Sequence, residues 1–129
     1  MDTLEILKQD YQRFPEAQTF EIYADDVFFK DPLNEFRGVA RYRKMIAFLG
    51  RWFKDIQLDL HQIQREEQTI RTDWTLHMTC PVPWRSRLSI AGYSLLEINE
   101  SNLIISHVDY WHKPVLAVFM QLFRKPQNN

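Results

Sequence analysis

Two short stretches of the chain carry side chains that could transfer a proton. In the first, the sequence YADD begins at Tyr23 and an aromatic run leads from it to Asp31, directly before a proline. In the second, His107, Asp109 and Trp111 stand at every second position, so a β-strand would place all three on one face. A carboxylate beside an imidazole in an apolar site can exchange protons near neutral pH. These residue types therefore favour acid–base chemistry.

Each stretch also has a purely structural interpretation. An aspartate before a proline accepts local backbone hydrogen bonds in a turn, in which case Asp31 serves the fold alone. His107 and Asp109 can form a structural pair within the sheet. The aromatic residues Tyr11 and Trp111 can be ordinary core residues. The sequence leaves both interpretations open.

The apolar pattern of the first half of the chain predicts helices around one short strand. Leu4, Leu7, Tyr11 and Phe14 recur at helical spacing, and Pro15 ends that pattern. A second, short helix is predicted over 16–24, followed by a strand over 27–30. A third, amphipathic helix is predicted after Gly38, and it reaches to residue 53.

In the second half of the chain, the apolar period changes to two. Alternation predicts strands over 56–61, 70–78, 85–97 and 103–112, with a turn over 99–102. Helices followed by an antiparallel meander indicate an α+β domain whose N-terminal helices pack on the concave face of a curved, cone-shaped sheet. No linker or repeat divides the chain, so residues 1–129 are predicted to form one domain.

Composition narrows the class of protein. The chain has 16 basic and 17 acidic residues and a net charge of −1, which offers no long-range attraction to nucleic acid. The basic residues of the third helix are interpreted as a solvated face. Cys80 is the only cysteine, so a reducing compartment is expected, and we interpret the N-terminus, which lacks the features of a signal peptide, as indicating a cytoplasmic protein. The apolar run near residues 115–123 is too short for a transmembrane segment, and no spacing predicts a metal or cofactor site.

The quoted motifs resemble a known superfamily. YADDVFFKDP, a glycine shortly after it, a helix, four strands and the ending HVDYWH resemble the nuclear transport factor two-like superfamily over nearly the whole chain. This cystatin-like cone fold is shared by ketosteroid isomerase, scytalone dehydratase and SnoaL-type cyclases. More narrowly, the sequence is similar to an uncharacterised family of small proteins from oxygenic phototrophs. The resemblance implies a fold and an interior pocket.

The resemblance also implies roles for individual residues. Asp31 is similar in place to the general base of ketosteroid isomerase, Tyr23 to the tyrosine of the same motif and Tyr11 to its oxyanion tyrosine. The second oxyanion donor of that enzyme, an aspartic acid, falls near Ser94 here, so the isomerase set is incomplete. The resembling tryptophan faces the cone interior, which implies that Trp111 does so too.

With Trp111 inside the cone, strand alternation adds His107 and Asp109 to the same inner face. By resemblance to scytalone dehydratase, His77 is a further ligand-binding candidate, as is Tyr93. Asp31, Asp109, His107 and Tyr23 are thus the predicted catalytic residues. Tyr11, Trp111, His77 and Tyr93 are the predicted ligand-binding residues.

Three functions remain open on the sequence. The first is a binding module for a small apolar or aromatic molecule, because the pocket aromatics are present. The second is a cofactor-independent proton-transfer enzyme of the isomerase, cyclase or dehydratase type. The third is a homodimeric scaffold that associates through the sheet face, with Trp74 or Trp84 exposed there, and through the apolar C-terminal segment.

Overall fold

The computed structural model of the protein describes residues 2–124, which contain three α-helices and six β-strands. The helices are α1 (Thr3–Arg13), α2 (Val39–Trp52) and α3 (Val115–Met120). The strands are β1 (Tyr23–Lys30), β2 (Glu35–Arg37), β3 (Lys54–Glu66), β4 (Thr69–Thr79), β5 (Arg87–Ile98) and β6 (Ile104–Trp111). Single turns of 3₁₀ helix lie at Phe20–Ile22 and Gln121–Phe123.

All six strands form one curved sheet in the order β2-β1-β6-β5-β4-β3. Neighbouring strands are antiparallel except β1 and β6, which run parallel. A parallel pair needs a long connection, and the chain from β2 to β5 supplies it. The predicted α+β cone fold is confirmed, with a mixed sheet in place of a wholly antiparallel one.

The predicted second helix over 16–24 is wrong. That stretch contains a loop and the 3₁₀ turn, and its last two residues already belong to β1. Asp10 on α1 is buried and holds the loop, because its carboxylate accepts hydrogen bonds from the backbone N–H and the hydroxyl of Thr19, both at 2.9 Å. The hydrogen bonds to Asp10 on α1 therefore override the helical pattern within 16–24.

Gly38 turns the chain from β2 into α2. Its φ angle is 111°, a conformation that other residues rarely adopt. Its N–H donates to the carbonyl of Val27 at 2.9 Å, which fixes the start of α2 beside β1. Tyr42 on the buried side of α2 then contacts Phe29 on β1, with ring centroids 5.3 Å apart. The helix is thereby fixed against the inner face of the sheet.

Alternation along β4 and β5 separates an inner from an outer sheet face. The inner residues of β4 include Ile70, Thr72 and Trp74, all buried. Trp74 therefore does not lie on the convex face, contrary to the scaffold interpretation. Trp84 is exposed in the β4–β5 connection and donates to the carbonyl of Leu122. The core lies between the inner sheet face and the helices.

Candidate functional site

The helices and the inner sheet face enclose a cavity of about 360 Å³. Most of its lining side chains are apolar or aromatic, and they come from α1, α2, α3 and five strands. The apolar lining includes Leu7, Phe14, Phe29, Met45, Ile46, Leu49, Leu58, Leu76, Met78, Leu88, Ile90 and Trp111. A cavity of this size and lining suits a small organic molecule.

A polar cluster interrupts this apolar lining where β4, β5 and β6 lie side by side. The indole N–H of Trp74 donates to Ser94 Oγ at 2.8 Å, and Ser94 Oγ lies 2.5 Å from Asp109 Oδ1. His107 Nε2 lies 2.7 Å from the same carboxylate oxygen. Since the indole can only donate, the serine hydroxyl donates its own proton to Asp109. Asp109 is thus the terminal acceptor of the cluster.

The cluster leaves two atoms without partners. Both hydrogen bonds of the Asp109 carboxylate end on Oδ1, and among the described residues Oδ2 has no hydrogen-bond partner. His107 is buried, and its Nδ1 atom likewise has no partner there. The imidazole lies among aromatic rings, with centroids 5.1 Å from Phe29 and 5.6 Å from Tyr42. The free carboxylate oxygen is the polar atom available to a bound molecule.

Three buried tyrosines surround this cluster. Burial raises the pKa of Tyr11, Tyr23 and Tyr42 above the ordinary value of about 10. Tyr11 Oη lies 2.9 Å from the hydroxyl of Thr72 on β4. The tyrosine hydroxyls therefore stay protonated at neutral pH and can act as hydrogen-bond donors within the cavity.

The structure brings together five of the residues predicted from the sequence. His107, Asp109 and Trp111 share the inner face of β6, and Tyr11 and Tyr23 line the same cavity. Their placement agrees with the alternation expected of the last strand. Their catalytic and ligand-binding roles stay predictions, because position alone does not establish a role.

Asp31 lies at the rim of the cavity, and its carboxylate serves a turn. Its Oδ1 accepts from the backbone N–H groups of Leu33 at 2.7 Å and Asn34 at 2.6 Å. Its own N–H donates to the carbonyl of Asn34 at 2.9 Å. The side-chain amide of Asn34 also donates to Oδ2 at 3.2 Å, so both oxygens of the carboxylate are engaged and the turn interpretation of Asp31 fits the geometry better.

His77 and Tyr93 do not line the cavity, contrary to the expectation for two ligand-binding residues. His77 belongs to the outward set of β4, where it lies 2.7 Å from the hydroxyl of Ser89. Tyr93 is outward on β5 and stacks on Tyr110 with centroids 4.8 Å apart. Each residue lies an odd number of positions from the inward-facing residues of its own strand. Strand alternation therefore places both side chains on the outer face.

Sequence reasoning misses the parts that Ser94, Tyr42 and Trp74 take in the site. The sequence marks Ser94 only as a departure from the isomerase pattern, yet this residue links Trp74 to Asp109. Helical spacing identifies Tyr42 only as an apolar position, yet its ring lies beside His107. A serine between apolar neighbours on a strand is the available signal for Ser94, because such a buried hydroxyl needs a partner.

The α3 segment covers one side of the cavity. Val118 is buried, and Val118 and Phe119 both line the cavity. The side-chain amide of Gln121 forms two hydrogen bonds with the backbone of Ser89, one to its N–H and one to its carbonyl, both 2.9 Å. These bonds fasten the segment to the first half of β5, where β6 does not pair.

Neither a metal-ligand cluster nor a membrane-spanning helix occurs in residues 2–124. No three His, Cys, Asp or Glu side chains of this region come together in a way that would hold a metal ion. Within the same residues, each helix is too short or too polar to cross a lipid bilayer.

Residues 1–107 match the model of a family described as "Uncharacterized conserved protein (DUF2358)". No curated protein matches the sequence.

Solved structures are similar to this chain in fold. A Jannaschia sp. CCS1 protein described as a SnoaL-like polyketide cyclase has a TM-score of 0.76 at 13% identity, covering 95% of this chain and 92% of that one. An LEH-like epoxide hydrolase from M. tuberculosis has a TM-score of 0.73 at 15% identity, covering 94% and 89%. A ketosteroid isomerase-like protein from Catenulispora acidiphila DSM 44928, in complex with trimethylamine, has a TM-score of 0.73 at 13% identity, covering 94% and 93%. These likenesses show the fold, and it is the cone fold that the sequence predicts.

Proposed function

This chain belongs to the family described as "Uncharacterized conserved protein (DUF2358)", and we propose that it binds a small, mainly apolar or aromatic molecule in its cavity. The observation that carries the proposal is an apolar cavity of about 360 Å³ with one free carboxylate oxygen, Asp109 Oδ2, in its wall. Apolar walls supply affinity, while a single polar group fixes orientation. Solved proteins of this fold named as a polyketide cyclase and an epoxide hydrolase support a small organic ligand.

The cluster around Asp109 defines the chemistry of the ligand. Ser94 and His107 already hold Oδ1, so the carboxylate is fixed in place before any ligand binds. Oδ2 can then accept one hydrogen bond from a ligand N–H or O–H group. A hydrogen bond to a charged group in such a site contributes about 1.5–3 kcal/mol. The preferred ligand is therefore an aromatic or alicyclic molecule with one donor group.

Fluorescence titration with N-phenyl-1-naphthylamine tests this proposal. The probe is neutral and aromatic and carries one N–H donor, and its emission rises in an apolar site. We expect saturable binding with one probe per chain. We expect Leu76→Phe to weaken binding by about tenfold or more, because the larger ring occupies cavity volume that the probe needs.

The matched control for this experiment is Leu95→Phe. Leu95 lies on the outer face of β5, so the same enlargement leaves the cavity unchanged. Equal binding by the two variants, or no saturable binding by the wild type, contradicts the proposal.

The anchoring role of Asp109 has its own test. We expect Asp109→Asn to weaken probe binding by about tenfold, because a neutral amide oxygen is a weaker acceptor than a carboxylate. Asp73→Asn removes the same charge from an outward position that pairs with Arg71 at 3.0 Å. That control should bind the probe as the wild type does, and an equal loss in both variants argues against anchoring by Asp109.

A second candidate function, proton transfer, is favoured by the same free oxygen. A carboxylate in an apolar cavity can remove a proton from a bound molecule, and a protonated tyrosine nearby can stabilise the charge that forms. In this proposal Asp109 is the base, His107 orients it, and Tyr23 is the donor. Asp31 takes no part, because its carboxylate is engaged in the turn.

Exchange of the acidic α-protons of 2-tetralone in D₂O, followed by NMR, tests the second function. We expect exchange above the buffer rate with the wild type and with Asp31→Asn, and loss of that excess with Asp109→Asn. If the exchange rate with the wild type equals the rate in buffer alone, the protein does not catalyse proton transfer on 2-tetralone. The binding proposal is unaffected by that result. Exchange lost in Asp31→Asn alone would restore the sequence prediction that Asp31 is the base.

A further inference from the structure

The outward face of α3 carries large apolar side chains where a surface helix normally has polar ones. Leu116, Met120 and Phe123 follow one another at helical spacing, and they are 73%, 54% and 73% exposed. The opposite side of the same segment, with Val118 and Phe119, covers the cavity. The segment is therefore apolar on both sides, and its outer side has no partner among the described residues.

A second apolar surface borders the same cavity on α2. Phe48 lines the cavity and is 55% exposed, and Trp52, one helical turn later, is 49% exposed. Their rings contact each other, with centroids 6.4 Å apart. Lys44 and Arg51 lie on the same side of the helix, at four residues before and three residues after Phe48. This side of α2 therefore combines aromatic and basic groups.

The two sequence segments that contain these surfaces carry charged residues of one sign only. Residues 36–54 contain six basic residues and no acidic one, and residues 110–124 contain two basic residues and no acidic one. The whole chain nevertheless has a net charge of −1, so the acidic residues lie elsewhere. Of the acidic residues that precede α2, Asp31 accepts hydrogen bonds in its turn, and Glu35 pairs with Lys30 at 3.6 Å.

We propose that these two surfaces together, hereafter the mouth face, dock the protein on a bilayer containing anionic phospholipid. The mouth face comprises Phe48, Trp52, Leu116, Met120 and Phe123 with the basic residues that flank them. Apolar and aromatic side chains enter the boundary between headgroups and acyl chains, while Lys and Arg contact the phosphates. This inference goes beyond ligand binding and holds whatever molecule fills the cavity.

Charge decides between this partner and two others. A second copy of the chain would bring two basic mouth faces together, and like charges oppose that contact. A nucleic acid offers phosphates to the cations but no apolar layer for Leu116, Met120 and Phe123. An anionic bilayer satisfies both the apolar and the basic groups of the mouth face.

Vesicle flotation with the full-length chain tests the proposal. The probes are large unilamellar vesicles of phosphatidylcholine alone and of phosphatidylcholine with about 30% phosphatidylglycerol. We expect binding to the anionic vesicles, weak binding to the neutral ones, and a large loss at about 0.5 M salt, where phosphate contacts are screened. We expect Lys44→Gln/Arg51→Gln and Leu116→Ser/Phe123→Ser each to reduce partitioning by about tenfold.

A control variant and a measurement of folding accompany the flotation. Lys8→Gln/Arg65→Gln removes two surface charges away from the mouth face, so it should bind as the wild type does. Circular dichroism checks that each variant is folded. Equal binding to neutral and anionic vesicles, an equal loss in the control, or unchanged binding in either mouth-face variant overturns the proposal. So does a concentration-dependent dimer that Leu116→Ser/Phe123→Ser abolishes, because the face would then bind a second copy.

Discussion

At the residue scale, two aspartates in one cavity have different surroundings and therefore different uses. The carboxylate of Asp31 accepts two backbone N–H groups of its own turn. The carboxylate of Asp109 accepts from Ser94 and His107 on one oxygen only, which leaves the other for a ligand. The neighbours of a carboxylate, rather than its place in a motif, determine whether it is free to act.

Replacing Asp31 tests its structural role. Asp31→Ala removes the acceptor of two turn N–H groups, so we expect a loss of about 1 kcal/mol in unfolding free energy. The thermal midpoint should fall by roughly 3–4 °C in calorimetry. Asp31→Asn keeps one acceptor oxygen, so its thermal midpoint should fall less than that of Asp31→Ala. A midpoint that rises in either variant would show that the charge is kept at a cost to stability, as in a functional site.

The buried tyrosines should make the folded protein less stable at alkaline pH. Burial raises the pKa of Tyr11, Tyr23 and Tyr42, so in the folded state each keeps its proton at a pH where the unfolded chain has lost it. The contribution of these buried, protonated tyrosines to the unfolding free energy is fully present below about pH 10, the pKa of tyrosine in the unfolded chain. It is lost as the pH rises above that value. Each such tyrosine should contribute a loss of about 1.4 kcal/mol per pH unit in that range.

Urea unfolding between about pH 9 and pH 11.5 measures how steeply the unfolding free energy falls with pH. Tyr42→Phe has no hydroxyl to ionise, so its stability should fall less steeply than that of the wild type, by about 1.4 kcal/mol per pH unit. Tyr110→Phe removes a tyrosine that is 41% exposed and serves as the control. A slope for Tyr42→Phe equal to that of the wild type would contradict the burial argument.

At the element scale, β5 is shaped by a glycine between two tryptophans. Gly92 faces inward and pairs with Trp74 on β4 and with Trp111 on β6. A Cβ atom at this position would collide with the carbonyl oxygen of Tyr110 and would lie 3.1 Å from the Trp74 ring. Glycine therefore lets the neighbouring strand and the ring approach closely, at the point where the polar cluster begins.

Two glycine substitutions should have opposite effects. Gly92→Ala should lower the unfolding free energy by about 2–3 kcal/mol, because the backbone of β6 must move. Gly50→Ala in α2 places its Cβ at an ordinary 3.4 Å from Pro15 and should raise it by about 0.5–1 kcal/mol through helix propensity. Denaturant unfolding of the two variants and the wild type measures both changes in unfolding free energy. A small effect of Gly92→Ala would mean that β5 and β6 can separate more easily than the packing indicates.

At the scale of the whole molecule, the predicted homodimer remains a prediction, and the outer sheet face is its candidate surface. Tyr93 and Tyr110 stack there, and the Arg71 guanidinium lies 4.1 Å from the Tyr93 ring centroid. Trp74 cannot contribute, because it is buried on the inner face. The C-terminal helix belongs to the proposed mouth face. Association through the sheet face and docking through the mouth face should therefore be disrupted by different substitutions.

Analytical ultracentrifugation separates these possibilities. If the outer sheet face holds two chains together, the wild type sediments as a dimer and Tyr110→Glu as a monomer, because the introduced charge would be buried without a partner. Phe123→Asp, on the mouth face, should leave the dimer unchanged. A monomeric wild type at high concentration would make the homodimer prediction wrong.

Sequence alone determined the features that depend on near neighbours. Period-two alternation located β3 to β6 and placed His107, Asp109 and Trp111 on one face, and helical spacing located α1 and α2. Tertiary structure decided which of these elements meet. The parallel pairing of β1 with β6, the contact of Tyr11 with Thr72, and the contact of Ser94 with Asp109 join residues that are distant in sequence or on separate strands. Local periodicity contains no information about such partners, because they are selected by the packing of the whole chain.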